Sequence, residues 1–448
     1  MKTILILGAG KSTAVLIHYL LDHASEFDWH VVVADLNEAA AKEIVRKHPR
    51  GEAVGANLQD NDKRVTLIRQ ADIVINMLTR PFQHVIAVEC LHLGKHMLSA
   101  SYEDPNVGAL HKEAMEKGIL ILNELGLDPG IDHMSGMNLI TRIHDVGGTV
   151  QSFRSYGGGL PAPESADNPL RYVVTWNPRN VLMAGEDGAM WKEDGKIYVQ
   201  PFHEIFRHTW PVQVNGLGTF EAYPNRDSLS YINILGVEGV HTMVRGTLRY
   251  TGWSETWQNI VKLGLTNEVM RVPNLANLTY AEMLDMFIPP AFGVRMDIHQ
   301  RVAHFLGLSP TGNIMANLQW LGLFEQKKIG FDARTVSQVM IQLIQDKMRM
   351  PPNGRDMVIL QHEIEASFKD RKIERITSTM IDYGKPGEET AIARTVGLPA
   401  AIAAKLVATD QITLRGCFIP TKPEIYKPIL AELVKVGIHF EEKTESLI

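Results

Sequence analysis

The sequence predicts an α/β protein: an N-terminal, doubly wound parallel sheet joined to a larger inserted α+β domain. Two observations carry this prediction. Short buried strands alternate with helices over residues 4–126, and a glycine-rich turn directly follows the first strand. A third observation supports the inserted α+β domain. After residue 128 glycine and proline become dense, and the regular alternation stops.

The first strand and its turn read ILILGAGKST over residues 4–13. A triphosphate-binding loop needs a glycine five places before its Gly-Lys pair, where this chain has Leu5. A dinucleotide fingerprint needs Gly-x-Gly-x-x-Gly, which Gly8 and Gly10 satisfy, with Thr13 in the third place. The turn therefore favours a dinucleotide, held by Gly8, Gly10, Lys11, Ser12 and Thr13.

The second strand ends at Asp35, which lies 25 positions after Gly10. An acidic residue near this place binds the ribose hydroxyls of NAD and repels the 2′-phosphate of NADP, so Asp35 favours NAD. The structural alternative is an aspartate that only forms a turn. Asn37 is predicted to cap the helix that follows.

The alternation continues with predicted strands at residues 52–58, 71–78, 95–101 and 118–126, and with helices at 81–94 and 104–118. Ligands of such sheets bind at the carboxyl ends of the strands. Leu78, Ser101 and residues 124–128 occupy these ends and are candidate site residues. Farther on, residues 355–368 and 374–384 are predicted as antiparallel strands, and residues 388–412 as a helix rich in small residues.

Bulk properties exclude several classes of protein. The 448 residues suffice for two or three domains, and the net charge of −6 argues against general nucleic-acid binding. The two cysteines form no disulfide framework, which favours a reducing compartment and a cytoplasmic location. We expect no membrane span, because no uninterrupted apolar run reaches the roughly 18 residues required.

Long motifs beyond the glycine turn resemble the saccharopine dehydrogenase (L-glutamate-forming) family, also called saccharopine reductase. They occur in order along nearly the whole chain: GLDPGIDHM (126–134), GGLPAPESADNPLRY (158–172), WNPRNVL (176–182), YPNRDSL (223–229), RGTLRYTGW (245–253), RDMVILQHE (355–363) and TVGLPAAIA (395–403). Several long motifs in one order are far more specific than two glycines.

The resemblance implies a Rossmann dinucleotide-binding domain over residues 1–127 and a substrate-binding domain, also used for dimerisation, over 128–389. A C-terminal segment, 390–448, is expected to return to the first domain. It further implies interconversion of saccharopine with L-glutamate and 2-aminoadipate 6-semialdehyde, with a nicotinamide cofactor, in a homodimer. Well-studied members favour NADP, whereas Asp35 favours NAD, so both cofactors remain candidates.

The resemblance also implies individual site residues. Substrate contacts map onto Ser101, Tyr102, Asp128, Trp176, Arg226, Thr247 and Arg249. Cofactor contacts map onto Gly8, Gly10, Lys11, Ser12, Thr13, the Asp35 region, Leu78 at the end of the fourth strand, and Ser101.

These residue types suit the substrate, which carries three carboxylates. The fork of an arginine pairs two donors with one carboxylate, and Arg226 and Arg249 lie within family motifs. Asp128 can bind the secondary ammonium and is the candidate acid/base, together with Tyr102. Trp176 can wall the site and exclude water. The partner is therefore a small amino acid with several carboxylates, with no nucleic acid or membrane involved.

Two other functions stay open at this stage. One is a related amine or amino-acid dehydrogenase acting on lysine or a carboxylated polyamine, and the other is a non-catalytic, NAD-responsive regulator.

No metal is expected. His203 and His208 are five positions apart, which places them on different helix faces, and His92 and His96 straddle Gly94.

Overall fold

The computed structural model describes residues 1–290, 296–369, 372–387 and 389–447. The chain forms two compact units. Unit 1 contains Met1–Gln151, Asn233–Glu238 and His362–Ile448, and unit 2 contains Ser152–Ile232 and Gly239–Gln361.

The strands in chain order are β1 Lys2–Leu7, β2 Trp29–Asp35, β3 Gly51–Gly55, β4 Ile73–Asn76, β5 His96–Ser99, β6 Leu120–Leu122, β7 Thr149–Pro161, β8 Ala189–Glu193, β9 Lys196–Gln200, β10 Trp210–Val214, β11 Gly218–Pro224, β12 Arg226–Asp227, β13 Thr242–Arg249, β14 Asp356–Ser367, β15 Ile373–Tyr383, β16 Gly416–Phe418 and β17 Glu441–Ser446. The helices are α1 Ala14–Ala24, α2 Glu38–Val45, α3 Asn61–Gln70, α4 Pro81–Leu93, α5 Pro105–Gly108, α6 His111–Glu116, α7 Ile131–Asp145, α8 Pro178–Leu182, α9 Ser230–Ile234, α10 Trp253–Lys262, α11 Tyr280–Asp285, α12 Ile298–Leu306, α13 Asn313–Trp320, α14 Val336–Lys347, α15 Ala391–Ala408 and α16 Pro423–Lys435. Short 3₁₀ helices cover Pro163–Ser165, Phe202–Arg207 and Leu275–Asn277.

Unit 1 is built on a parallel sheet in the order β3-β2-β1-β4-β5-β6-β16. The last four residues of β1, Ile4 to Leu7, are fully buried, as expected for a strand covered by helices on both faces. The predicted doubly wound sheet is therefore confirmed. β16 extends it from the C-terminal segment, and sequence periodicity missed it because a strand of three residues carries no period.

Helix α15 packs against α1 in unit 1, and small side chains allow a close approach. A Cβ added to Gly397 would lie 3.1 Å from the backbone nitrogen of Leu16 and 3.2 Å from the carbonyl oxygen of Ser12. Because both neighbours are backbone atoms, they cannot move aside independently of α1. Gly397 therefore sets the spacing between α15 and the first turn after β1.

We expect Gly397→Val to lower the free energy of unfolding by about 1–3 kcal/mol, since overpacking forces the two helices apart. Chemical denaturation followed by circular dichroism would measure the change. Gly239→Val is the matched control, because a Cβ at the exposed Gly239 meets no described atom within 4 Å. Equal stability of the two variants would contradict the packing role.

The composition of α15 also meets the length and hydropathy criteria for a membrane-spanning helix, with a mean hydropathy of 1.5. In the fold, 83% of that stretch is buried inside the protein, which is the pattern of an apolar core helix. Thr390 caps the helix by accepting a hydrogen bond from the nitrogen of Ala393 at 3.0 Å.

Unit 2 is a mixed sheet in the order β10-β11-β13-β7-β14, with the β8–β9 hairpin beside β13. Strands β11 and β13 are antiparallel, whereas β13 and β7 are parallel. Its core includes the stacked rings of Trp253 and Trp257, whose centroids are 4.3 Å apart. The carboxylate of Glu221 caps α10 by accepting from the nitrogen of Ser254 at 2.7 Å.

The compact units divide the chain differently from the boundaries drawn on the sequence at 127/128 and 389/390. Residues 128–151 and 362–389 belong to unit 1. The physical reason is side-chain contact, since α7 is tied to α16 by a 3.0 Å hydrogen bond from the Tyr426 hydroxyl to Thr141. Ser135 on α7 likewise bonds His362 at 2.7 Å. Residues 390–447 also lie in unit 1.

Candidate active site

The glycine turn after β1 has the geometry that a dinucleotide requires. Gly8 has a φ of +106°, and an added Cβ there would lie 3.3 Å from Leu78. At Gly10 an added Cβ would meet no described atom within 4 Å, so its backbone is open to a pyrophosphate. Thr13, in the third fingerprint place, turns inward and donates to the carbonyl oxygen of Gly10 at 2.7 Å. Lys11 and Ser12 lie in the same turn.

Asp35 lies at the carboxyl end of β2, and both of its oxygens are held by main-chain donors. Oδ2 accepts from the nitrogen of Ala9 and Oδ1 from the nitrogen of Asn37, each at 2.7 Å. The carboxylate is thereby tied to the glycine turn. The predicted cap by Asn37 is confirmed, since its side chain accepts from the nitrogen of Ala40 at 3.2 Å.

Gln83 joins the carboxyl ends of β4 and β5. Its amide nitrogen donates to the carbonyl oxygen of Leu78 at 3.0 Å and to the Ser101 hydroxyl at 3.1 Å. The hydroxyl of Ser99 donates to its amide oxygen at 2.8 Å. Two predicted cofactor residues, Leu78 and Ser101, are thus held together by a residue that sequence reasoning missed. The sequence feature that could have identified Gln83 is that it is a polar side chain at a buried position of the mainly apolar helix α4.

A buried donor at this edge fits a polar ligand. The amide nitrogen of Asn76, at the end of β4, is fully buried and has no partner among the described residues. Orphaned buried donors are costly unless another group satisfies them. The open backbone at Gly10, the anchored Asp35 and this donor together fit a dinucleotide. The residues that would hold it are Gly8, Gly10, Asp35, Leu78 and Ser101.

Tyr102 and Asp128 form a hydrogen-bonded pair in unit 1, with the tyrosine hydroxyl donating to Oδ1 at 2.9 Å. Asp128 is presented by a tight loop over residues 126–130, in which the nitrogen of Gly126 donates to the carbonyl oxygen of Pro129 at 2.9 Å. An added Cβ at Gly130 would lie 2.1 Å from the carbonyl oxygen of Gly126, so only glycine fits this crossing. The loop places the carboxylate beside the phenol.

Charged and polar side chains lie behind this pair, and all are buried: Glu124, Asp132, His133, Ser135 and His362. The Nδ1 atom of His133 lies 3.0 Å from the Oε2 atom of Glu124, and its Nε2 lies 3.4 Å from the Oδ2 atom of Asp132. The pKa of His362 falls to about 3, because burial and the charge of His133 oppose its protonation.

Unit 2 contains a buried cation enclosed by aromatic rings. Arg249, at the end of β13, is only 4% exposed, and its guanidinium carbon lies 4.8 Å from the Trp253 ring centre, 4.9 Å from that of Tyr172 and 5.7 Å from that of Tyr223. One Nη donates to the carbonyl oxygen of Leu248 at 2.8 Å, whereas Nε has no partner among the described residues. No described carboxylate forms an ion pair with Arg249.

Two more predicted substrate residues lie in the same cluster. The indole nitrogen of Trp176 donates to the Tyr172 hydroxyl at 3.2 Å. The hydroxyls of Thr247 and Tyr223 interact, and burial raises the pKa of Tyr223 despite the opposing effect of Arg249. The structure thus brings Trp176, Thr247 and Arg249 together, through tyrosines that the sequence did not single out.

Arg226 lies on the short strand β12 in unit 2. Its half-exposed guanidinium forms an ion pair with Asp187, and its φ is +53°. Its role in substrate binding stays a prediction.

For metals, the described residues contain no group of three or more side chains that could bind an ion, and the segment with His203 is a 3₁₀ helix.

Comparison with known proteins identifies the family. The family model described as the saccharopine dehydrogenase NADP binding domain matches residues 4–122, and the one described as the saccharopine dehydrogenase C-terminal domain matches residues 126–438. Saccharopine dehydrogenase [NADP(+), L-glutamate-forming] of Saccharomyces cerevisiae is 33% identical over 99% of both chains. Alpha-aminoadipic semialdehyde synthase of Arabidopsis thaliana is 36% identical over 95% of this chain but only 41% of its own length.

A solved structure agrees over the full length. Apo saccharopine dehydrogenase (L-Glu forming) from Saccharomyces cerevisiae superposes with a TM-score of 0.89 at 31% identity, covering 99% of this chain and 100% of that one. This agreement confirms the predicted fold class, a Rossmann-like parallel sheet with a second, mixed α+β domain. The chain belongs to the saccharopine dehydrogenase family.

Proposed function

We propose that this protein is a nicotinamide-dependent oxidoreductase that interconverts saccharopine with L-glutamate and 2-aminoadipate 6-semialdehyde. Relatives at 29–33% identity over 99% of the chain carry the name saccharopine dehydrogenase, L-glutamate-forming. The observation that carries the proposal is Arg249. A guanidinium buried among aromatic rings without a described carboxylate partner requires an anion, and a substrate carboxylate supplies one.

Asp128 is the acid/base group in this proposal, taking the proton that the secondary ammonium loses during oxidation, and Tyr102 positions it. When bound, the nicotinamide accepts or supplies a hydride at the carbon next to the substrate nitrogen. The Asp128 carboxylate binds the cationic nitrogen in its imine and amine forms, and the Tyr102 hydroxyl holds that carboxylate in place through the 2.9 Å hydrogen bond. Trp176 and Tyr172 form an apolar wall beside Arg249 that keeps water from the bound carboxylate.

A nicotinamide absorbance assay tests the function. Purified protein should reduce the oxidised cofactor with saccharopine, and oxidise the reduced cofactor with glutamate plus the semialdehyde. Lysine and a carboxylated polyamine serve as competing substrates. Turnover of either at a higher kcat/KM than saccharopine would instead identify a related amine dehydrogenase. No turnover with any of them, despite cofactor binding, would identify a regulator.

Cofactor choice is a finer proposal that rests on Asp35. The fungal relatives carry NADP in their names, yet this chain places a carboxylate, held by Ala9 and Asn37, where NAD enzymes bind the ribose. A 2′-phosphate there would face a like charge, which costs several kcal/mol. We therefore propose that this chain prefers NAD.

We expect kcat/KM for NAD to exceed that for NADP by about tenfold or more, since each tenfold corresponds to about 1.4 kcal/mol. Asp35→Asn keeps an acceptor for one of the two main-chain donors, since an amide has a single oxygen, and it removes the charge, so the preference for NAD should shrink. Asp22→Asn, an exposed substitution on α1, is the control. An unchanged cofactor ratio in Asp35→Asn, or a wild-type preference for NADP, would refute the assignment.

Two further expectations remain predictions, the first from the family resemblance and the second from the low cysteine content. They are a homodimer and a cytoplasmic location. Sedimentation of the purified chain would test the first, and imaging of the tagged protein in its host would test the second.

A further inference from the structure

Three buried ionisable side chains lie behind the Tyr102–Asp128 pair, and the mechanism above does not use them. Glu124 is 6% exposed, Asp132 is 4% exposed, and His133 lies between them at 3% exposed. Charged groups are rarely buried so completely unless they are paired. Their arrangement therefore requires an explanation.

Each carboxylate holds one of the two loops that carry the candidate acid/base residues. The Oε1 atom of Glu124 accepts from the nitrogen of Glu103, next to Tyr102, at 3.0 Å. The Oδ1 atom of Asp132 accepts from the nitrogen of Gly130, two residues after Asp128, at 2.7 Å. The second oxygen of each carboxylate faces His133.

His133 thus presents one ring nitrogen to each carboxylate, at 3.0 Å for Glu124 and 3.4 Å for Asp132. A neutral imidazole would leave two buried carboxylates beside it without the positive charge that such groups require. A doubly protonated ring carries a positive charge within ion-pairing distance of both carboxylates and neutralises part of the buried negative charge.

We propose that His133 is held as an imidazolium between Glu124 and Asp132, and that this buried ion cluster positions the Tyr102 hydroxyl against the Asp128 carboxylate. His133 is a positioning residue, since it acts through the two loops. The role of Tyr102 and Asp128 rests on the proposed function, whereas the protonation of His133 does not.

The other titratable groups around the cluster do not supply the missing positive charge. His362 on β14 is buried, bonds Ser135, and has a pKa lowered to about 3, which leaves it neutral. Glu103 has a pKa raised by its burial and by the charge of Glu124. Asp128 adds a negative charge that acts on His362. Of these groups only His133 can carry a proton as a cation at neutral pH.

Nitrogen-15 NMR of the histidine-labelled wild-type protein tests the protonation directly. At about pH 8, roughly 1.5 units above the ordinary histidine pKa of ~6.5, exposed histidines are neutral. We expect one imidazolium signal, with both ring nitrogens protonated, to persist there and to be absent from His133→Gln. A spectrum with only neutral histidines at that pH would overturn the proposal, whether or not the variant folds.

Kinetics of His133→Gln test the positioning. We expect kcat to fall about 10- to 100-fold, as for a small misplacement of reacting groups, with the KM for the cofactor unchanged. The acidic limb of the kcat/KM profile should also move to higher pH, because loss of the cation leaves more negative charge near Asp128. If the variant only contained less folded, active protein, kcat would fall but the pH profile would stay where it is.

His144→Gln is the matched control, since His144 is an exposed histidine on the same helix. It should leave kcat and the pH profile unchanged. His133→Gln with wild-type kcat and an unshifted profile would overturn the positioning role. If the wild-type protein lacked saccharopine turnover while the persistent imidazolium was present, only the proposed function would fail.

Discussion

Asp128→Asn is expected to lower kcat for saccharopine oxidation by about 10²- to 10⁴-fold, the range measured for positioned acid/base groups. The substitution keeps the size of the side chain and an oxygen that accepts from Tyr102, but it removes the charge that binds the cationic nitrogen. Steady-state kinetics with saturating cofactor would measure the loss. The KM for the cofactor should change little, because Asp128 is not among its expected contacts.

The control for this variant is Asp62→Asn, an exposed aspartate in the first turn of α3. It should retain wild-type kcat. Circular dichroism should show that Asp128→Asn is folded, and cofactor titration should show that it still binds nicotinamide. A kcat within about threefold of wild type would rule out the role of Asp128, because a positioned acid/base contributes at least about 10²-fold.

Arg249→Met is expected to lower kcat/KM for saccharopine by about 10²- to 10³-fold, chiefly through a higher KM. A charged hydrogen bond is worth about 1.5–3 kcal/mol, and the guanidinium fork can make two to one carboxylate. The same change should leave thermal stability equal or higher, because it removes a buried cation that has no described carboxylate partner. Loss of activity with retained stability would distinguish a binding site from a structural arginine.

Arg179→Met is the matched control in unit 2. The Arg179 guanidinium pairs with Glu186 at 3.0 Å and with Glu268 at 2.5 Å, so its charge is already satisfied by the protein. This variant should keep the KM for saccharopine and lose some stability. If Arg249→Met unfolded the protein or left the KM unchanged, the proposed carboxylate site would be incorrect.

Local patterns in the sequence sufficed for features in which neighbours along the chain determine the conformation. The turn at Gly8 and Gly10, the aspartate that ends β2 and the cap at Asn37 are of this kind, and the structure has each of them. Resemblance of motifs added Tyr102 and Asp128 as a pair, although they are 26 positions apart in the chain, and the structure joins them with a hydrogen bond.

Other features depend on contacts between distant segments, which no local pattern reveals. Gln83 reads as one polar residue in an apolar helix, yet it connects two strand ends. Arg249 became distinct from other arginines only when Tyr172 and Trp253 were seen to enclose it. Arg226, which lies in a family motif that predicts a substrate contact, forms an ion pair with Asp187 at the surface.

By itself, the sequence determined the family, the parallel sheet and the dinucleotide turn, because strand periodicity and glycine conformations are properties of short segments. Only the tertiary structure decided which charges are buried and which partners they have. The buried Arg249 and the neutral His362 acquire their properties from desolvation by residues far away in the chain, and desolvation exists only once the chain is packed.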